Sequence, residues 1–318
     1  MKPLVAGLGV MLAFGLAFCP AAADGQQPAQ VYRVGFLSFA PPPPPTERTP
    51  QQCPMKWGAN WAPMIEGFRE HGYEPGRNLV IECRYPGGQE DRARVLAAEL
   101  VDMKVDLIVA ASTAHVRGAR QATSTVPIVM VGVIDPVRRR LVASLARPGG
   151  NVTGLTEDAG TAIAGKYLQL LREVAPRASR TAVLSYLMDS PEAVFRRDLD
   201  DAARTLGMTL RYHETREREQ LDAAFAAMAT EGADALLVIP HPFMSINGKR
   251  IVGLALTSRL PAVLPFREHV EAGGLLAYDV DRRALRRGIG AYADKIFKGA
   301  KPADLPVEQP TEFQLLVN

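Results

Sequence analysis

The chain has 318 residues, 47% of them hydrophobic and 22% charged, with a formal net charge of +3. That composition belongs to a folded protein with length enough for two domains of ordinary size, and it excludes a disordered chain. The charge is too small and the arginines too scattered for a nucleic-acid-binding face.

Met1 to Ala23 reads as a secretory signal: one cation at Lys2, an apolar run from Leu4 to Phe18, then small residues ending Ala21-Ala22-Ala23. The run is shorter than the roughly 20 residues a bilayer span needs. Cleavage is expected after Ala23. Leu16-Ala17-Phe18-Cys19 half resembles a lipidation site, but Phe18 is bulky where such sites need a small residue. No later run reaches membrane-spanning length, so a soluble, periplasmic mature chain is expected. An exported chain is cut off from ATP, NAD and most metabolic substrates, which points towards binding rather than catalysis.

Val31 to Leu37 reads as a first strand, and Ala40 to Pro54, with five consecutive prolines, as loop or polyproline II. Helix is expected over Met64–His71 with a stop at Gly72, strand over Leu79–Tyr85, and helix over Asp91–Met103. Strand Val105–Ala110, helix Thr113–Thr123 and strand Pro127–Val133 complete the first block. Arg138-Arg139-Arg140 is read as a solvated helix start, and Arg147-Pro148-Gly149-Gly150 as a joint. The rhythm then restarts, with helices at 164–174, 191–206, 221–230 and 248–258 and strands at 181–186, 208–213, 235–240 and 262–265. Alternating strands and helices argue parallel sheets covered by helices. The fold class is therefore α/β, with two Rossmann-like lobes joined by a hinge. Expected lobe boundaries are 31–147 plus about 279–300, and 148–278 plus about 301–318.

In open parallel sheets, ligands gather at the carboxyl ends of strands beside helix N-termini. Those positions hold Ser38, Ser112, Thr113 and Asp135 in the first block. In the second they hold Ser185, Asp189, Ser190, Pro240-His241-Pro242, Phe266, Arg267 and Glu268. Ser112 and Thr113 would offer hydroxyls and free N–H groups to an anion. Asp135 would hold an ammonium group, and the pair together suit a zwitterion. Each Ser, Thr or Asp also has a plain reading as a helix cap. Trp57 and Trp61 either stack on a ligand or cover the lobe near the proline run.

Cys53 and Cys83 are a candidate disulfide or two unpaired thiols. His71, His115, His213, His241 and His269 stand too far apart for a metal site. No nucleophile elbow, phosphate loop or dinucleotide fingerprint follows a strand. No cofactor is expected.

The joint is more specific. Val126-Pro127-Ile128-Val129, Asp135-Pro136-Val137 and Leu141-Val142-Ala143-Ser144-Leu145-Ala146-Arg147-Pro148-Gly149-Gly150-Asn151-Val152-Thr153-Gly154 resemble one family. Gly76-Arg77-Asn78-Leu79, Phe266-Arg267-Glu268 and Lys298-Gly299-Ala300-Lys301-Pro302 extend the match to most of the chain after Val31. That family is the ABC transporter substrate-binding proteins of the tryptophan/tyrosine (TrpX-like) type. The resemblance implies a type I periplasmic-binding fold, a ligand closed between lobes, no catalysis, and delivery to a membrane permease by a monomer. It also implies that Ser112, Thr113 and Asp135 face the cleft, with Phe266, Glu268 and Tyr278 on the second lobe or hinge. Departures lie at Ser185–Ser190, which lacks the usual asparagine-proline character, at the Pro41–Pro54 insertion, and at Ala277 and Asp279 beside Tyr278. The chain also stops at Asn318, where relatives run on into a final helix.

The expected function is periplasmic capture of a small polar ligand, such as an aromatic or other amino acid, for an ABC importer. The alternatives are a periplasmic sensor subunit that signals to a membrane receptor and, further off, an exported α/β enzyme.

Overall fold

The computed structural model describes residues 30–318 apart from 48, 52, 55, 59–60, 158–161 and 187–192. The secretory signal and Asp189 lie outside the described residues. In the first lobe, strands β1 (Tyr32–Leu37), β2 (Leu79–Arg84), β3 (Leu107–Ala110), β4 (Ile128–Val133) and β5 (Val152–Thr156) form one sheet in the order β2-β1-β3-β4-β5. All its pairings are parallel. The central strands are nearly continuous apolar runs because helices cover both faces. Those helices include α1 (Ala62–Glu70), α2 (Glu90–Asp102) and α3 (Thr113–Ala122). Gly72 takes φ +84° just past α1, where the glycine stop is expected.

In the second lobe, α4 (Ala162–Val174), α5 (Ala193–Leu206), α6 (Gln220–Thr230), α7 (Pro242–Ile246), α8 (Gly248–Thr257) and α9 (Arg267–Glu271) accompany a second sheet. Its strands are β6 (Arg180–Tyr186), β7 (Thr209–Thr215), β8 (Ala235–Val238), β9 (Ala262–Leu264), β10 (Leu276–Val280) and β11 (Phe313–Val317). Their order is β11-β10-β9-β8-β6-β7, parallel except that β11 runs antiparallel to β10.

Two sequence expectations change. The boundary at Pro148 conflicts with β5, which pairs with β4 and belongs to the first sheet. Glycine decides this: Gly154 has φ +130°, and a Cβ there would stand 2.3 Å from the Met130 carbonyl oxygen. The Arg138-Arg139-Arg140 triplet begins no helix; residues 136–143 are turns and bends. Asp135 and Arg140 have φ +51° and +56°, which a helix does not admit. The Ile134 and Arg140 carbonyls are bonded instead by the Arg139 and Arg120 guanidinium groups.

The chain crosses between the sheets after β5, again where β10 leads into α10 (Arg282–Phe297), and a third time before β11. Helix α10 returns to the first lobe, burying Leu285, Ile289, Tyr292, Ala293 and Ile296 in that lobe's core. It docks on α1 backbone to backbone. A Cβ at Gly67 would lie 2.0 Å from the Arg287 carbonyl oxygen, and one at Gly290 would lie 2.2 Å from Gly67. Overpacking costs about 1–3 kcal/mol even against movable side chains. Gly67→Ala is therefore expected to lower Tm by several degrees, at roughly 2–4 °C per kcal/mol for a chain of this size. An unchanged melting curve would mean the helices separate freely. The Ala40–Pro54 segment is pinned by a Cys53–Cys83 disulfide, which ties it to the end of β2.

Candidate functional site

The carboxyl ends of both parallel sheets converge on a cleft that encloses two neighbouring compartments. The larger has a cavity volume of about 220 Å³. Ser112, Thr113 and Arg117 reach it from the start of α3, and Gly132 and Arg139 from beyond β4. Tyr186 and His241 close it from the second lobe. The smaller compartment, about 130 Å³, is walled by Trp61, Val131, Ile246 and Ser245, with Arg282 and Arg286 beside them. Phe39, Gly132, Glu157 and Pro242 line both. Each volume is below the ~300–1,000 Å³ of pockets that hold drug-sized ligands, so the cleft suits a small metabolite.

Aromatic rings bridge the lobes. Tyr186 stacks on His241 at 4.1 Å with an interplanar angle of 5°. Phe39, on the loop after β1, stands edge-on to His241 at 5.4 Å and packs against the second lobe's core. His241 Nδ1 accepts the Phe243 N–H, which leaves its proton on Nε2. Burial, followed by the Arg139 and His115 charges, pushes its pKa down to about 3, so this ring wall is uncharged.

A buried ion network lies at the crossings. Arg282 reaches Glu157 through both guanidinium nitrogens, at 2.9 and 2.8 Å. Its Nε donates to Asp279 at 2.9 Å. The three side chains are 12%, 8% and 9% exposed. Burial opposes the Arg282 charge, but Asp279 and Glu157 outweigh it and raise that pKa. The guanidinium also covers the Phe266 ring at 4.1 Å. Glu268 accepts the Ser245 hydroxyl at 2.6 Å and is within electrostatic reach of Arg282 and Asp279. Burial is the largest single influence and opposes its ionisation, but the Ser245 bond, its own backbone N–H and the Arg282 charge together outweigh it and its pKa is lowered.

The residues singled out from sequence divide. Ser112 and Thr113 line the larger compartment, and Ser112 is a helix cap as well, accepting the His115 N–H. Trp61 lines the smaller one under Arg286, whose guanidinium is 5.0 Å from the indole. Trp57 packs on Phe36, on the core side. Ser38 is buried and bonds its own loop at Ala40. Ser185 is buried within β6, one residue before Tyr186. Phe266 and Glu268 lie behind the wall, supporting Arg282 and Ser245.

Asp135 and Tyr278 are absent from both linings. Asp135 accepts the Arg138 N–H and pairs with the Arg138 side chain at 3.1 Å, a local turn contact. Tyr278 stacks on Phe313 and meets Tyr167 edge-on inside the second lobe. Two acids line the cleft among the described residues: Glu90, at the start of α2 and 3.7 Å from Arg117, and Glu157. Glu157 follows β5, the strand hidden in the joint, so the rule about strand ends reaches it only once β5 is recognised. Among the described residues no group of three His, Cys, Asp or Glu is placed to hold a metal. No helix among them is long and apolar enough to cross a membrane.

Residues 59–318 match the family of ABC transporter substrate binding proteins. The chain belongs to that family. Members bind solutes and are not enzymes. The chain is 26% identical over 255 residues to a tyrosine-binding protein of Clostridioides difficile (strain R20291), covering 80% of this chain and 72% of that one. Among solved structures it is similar to an ABC domain in complex with L-Trp from Streptococcus pneumonia: TM-score 0.78, 23% identity, 91% and 92% of the two chains covered. It is also similar to a ligand-free, open substrate binding protein with adhesive properties from Clostridium difficile, at TM-score 0.61, 22% identity and the same coverage. A type I periplasmic-binding-like architecture agrees with these neighbours.

Proposed function

We propose that this substrate-binding protein works outside the cytoplasm, capturing a small aromatic amino acid between its lobes and delivering it to an ABC permease. The observation that carries this reading is the polarity of the cleft. At one end stand Ser112, Thr113 and the N-terminus of α3, with Arg139 and with Arg117, whose charge Glu90 partly offsets from 3.7 Å. A helix N-terminus flanked by guanidinium groups attracts a carboxylate. At the other end Glu157 lines both compartments, backed by Asp279 and Glu268. Three carboxylates there face the two guanidinium groups of Arg282 and Arg286, a formal surplus of one negative charge that favours an ammonium group. Between the ends lie Phe39, Tyr186 and the neutral His241, an apolar slot for a ring.

The names of the relatives support the same cargo class. The higher TM-score against the L-Trp complex than against the ligand-free, open protein supports a closed arrangement. Closure follows from contact with both lobes: a ligand touching α3 and Glu157 on one side and Tyr186 and His241 on the other stabilises only the closed state.

A thermal-shift screen of the mature protein against amino acids, peptides, nucleosides and sugars tests the reading. Ligand at 100 times its Kd adds about 2.7 kcal/mol to stability. Aromatic amino acids are expected to respond first. A response confined to sugars or nucleosides contradicts the proposal.

A further inference from the structure

Asp279 does not line either compartment, yet it shares Arg282 with the carboxylate that does. It is 6% exposed on β10. Groups from each neighbouring element act on it: Arg282 of α10, Glu157 beyond β5 and Glu268 of α9. Tyr167 of α4 lies within its electrostatic reach. Without Asp279, Glu157 and Glu268 would be cancelled by Arg282 and Arg286, and the end of the cleft assigned to the ammonium group would carry no surplus charge.

Resting on the amino-acid reading above, we propose that Asp279 is the residue that makes this cleft select a ligand bearing an amine. It acts through Arg282. By accepting the Nε bond and balancing part of the guanidinium charge, it leaves Glu157 effectively anionic towards the ligand. Asp279 is thus a positioning residue for specificity.

The proposal carries a pH signature. Burial, only partly offset by Arg282, raises the Asp279 pKa to about 6. The bound ammonium favours the ionised form, so ligand binding expels a proton wherever Asp279 is protonated in the free protein. Affinity for an amine-bearing ligand should therefore be full above about pH 7 and fall as the pH drops through 6, by at most about tenfold per pH unit for one proton. A ligand without the amine should not follow this curve.

The experiment is calorimetric titration from pH 5.5 to 7.5 with L-tyrosine and with its des-amino analogue, hydroxyphenylpropionate. In the wild type the preference for tyrosine is expected to shrink as the pH falls through 6. In Asp279→Asn, which keeps an acceptor for Arg282 but loses the charge, the preference should be about tenfold smaller at pH 7.5 and independent of pH. A merely structural role would weaken both ligands alike. Parallel wild-type curves for the two ligands would overturn the proposal without any variant. So would an Asp279→Asn protein with wild-type preference and wild-type pH dependence. If the wild type binds neither compound, the amino-acid reading fails first and this proposal falls with it.

Discussion

Arg282→Met is expected to cause the largest loss of stability of any single substitution in the cleft, about 3–5 kcal/mol. The reason is what it leaves behind. Glu157 and Asp279 are each less than a tenth exposed, and Arg282 is the counterion both share. Two desolvated carboxylates would then face each other across an apolar methionine, with Phe266 stripped of the guanidinium above its ring. At roughly 2–4 °C per kcal/mol, thermal unfolding should move down by about 6–20 °C. Adding Asp279→Asn to Arg282→Met removes one of the orphaned charges and should restore part of that loss, since residues in one network do not act additively. A melting temperature within 2 °C of wild type, or a double variant less stable than the single, would show that the triad does not hold the crossings together.

Glu157→Gln is expected to have the largest effect on binding. The amide keeps one oxygen for Arg282, so the fold should survive with a modest loss. The ligand's ammonium, however, loses the one carboxylate among the described residues that lines both compartments, and the remaining charges around it become balanced. Truncating one partner of a buried, hydrogen-bonded charge pair costs about 2–5 kcal/mol. A Kd raised by at least about 30-fold for an aromatic amino acid follows, since 1.4 kcal/mol is tenfold. The Asp135→Ala variant, by contrast, should leave affinity unchanged, because its carboxylate is engaged with Arg138 in a turn. Both are read by titration calorimetry on protein with a wild-type far-UV spectrum. A reversed order, with Asp135 mattering and Glu157 not, would move the ammonium site to the end of β4.

Much of the fold is legible because its strands are apolar runs of Val, Ile and Leu separated by amphipathic helices, as in Leu107–Ala110 and Ala235–Val238. What escapes is decided by tertiary contacts. Strand β5 sits in a glycine-rich joint that local pattern reads as punctuation. Its register is fixed by Asn151, whose amide bonds the Thr123 and Val126 carbonyls, and by the fit of Gly154 against Met130. The turn after β4 likewise depends on two left-handed residues, on its own Arg139 guanidinium and on that of Arg120 from α3. Within the site, Ser112, Thr113 and Trp61 are found because they stand after strands or before helices whose ends the sequence marks. Glu157 and Arg282 meet across 125 residues of sequence, at two separate crossings between the sheets. No local spacing announces such a pair. The aromatic wall is half visible: Pro240-His241-Pro242 is marked by position, but at the end of β6 the strand-end rule picks the polar Ser185 rather than its neighbour Tyr186, and Phe39 hides in the proline-rich loop.

The most direct test of the account is calorimetric titration of L-tyrosine and L-tryptophan into mature protein that has been unfolded and refolded to strip any bound ligand. Saturable one-site binding is expected, weakened at least about 30-fold by Glu157→Gln and unchanged by Asp135→Ala. Absence of heat with every amino acid, together with saturable binding of a sugar or nucleoside, would contradict it.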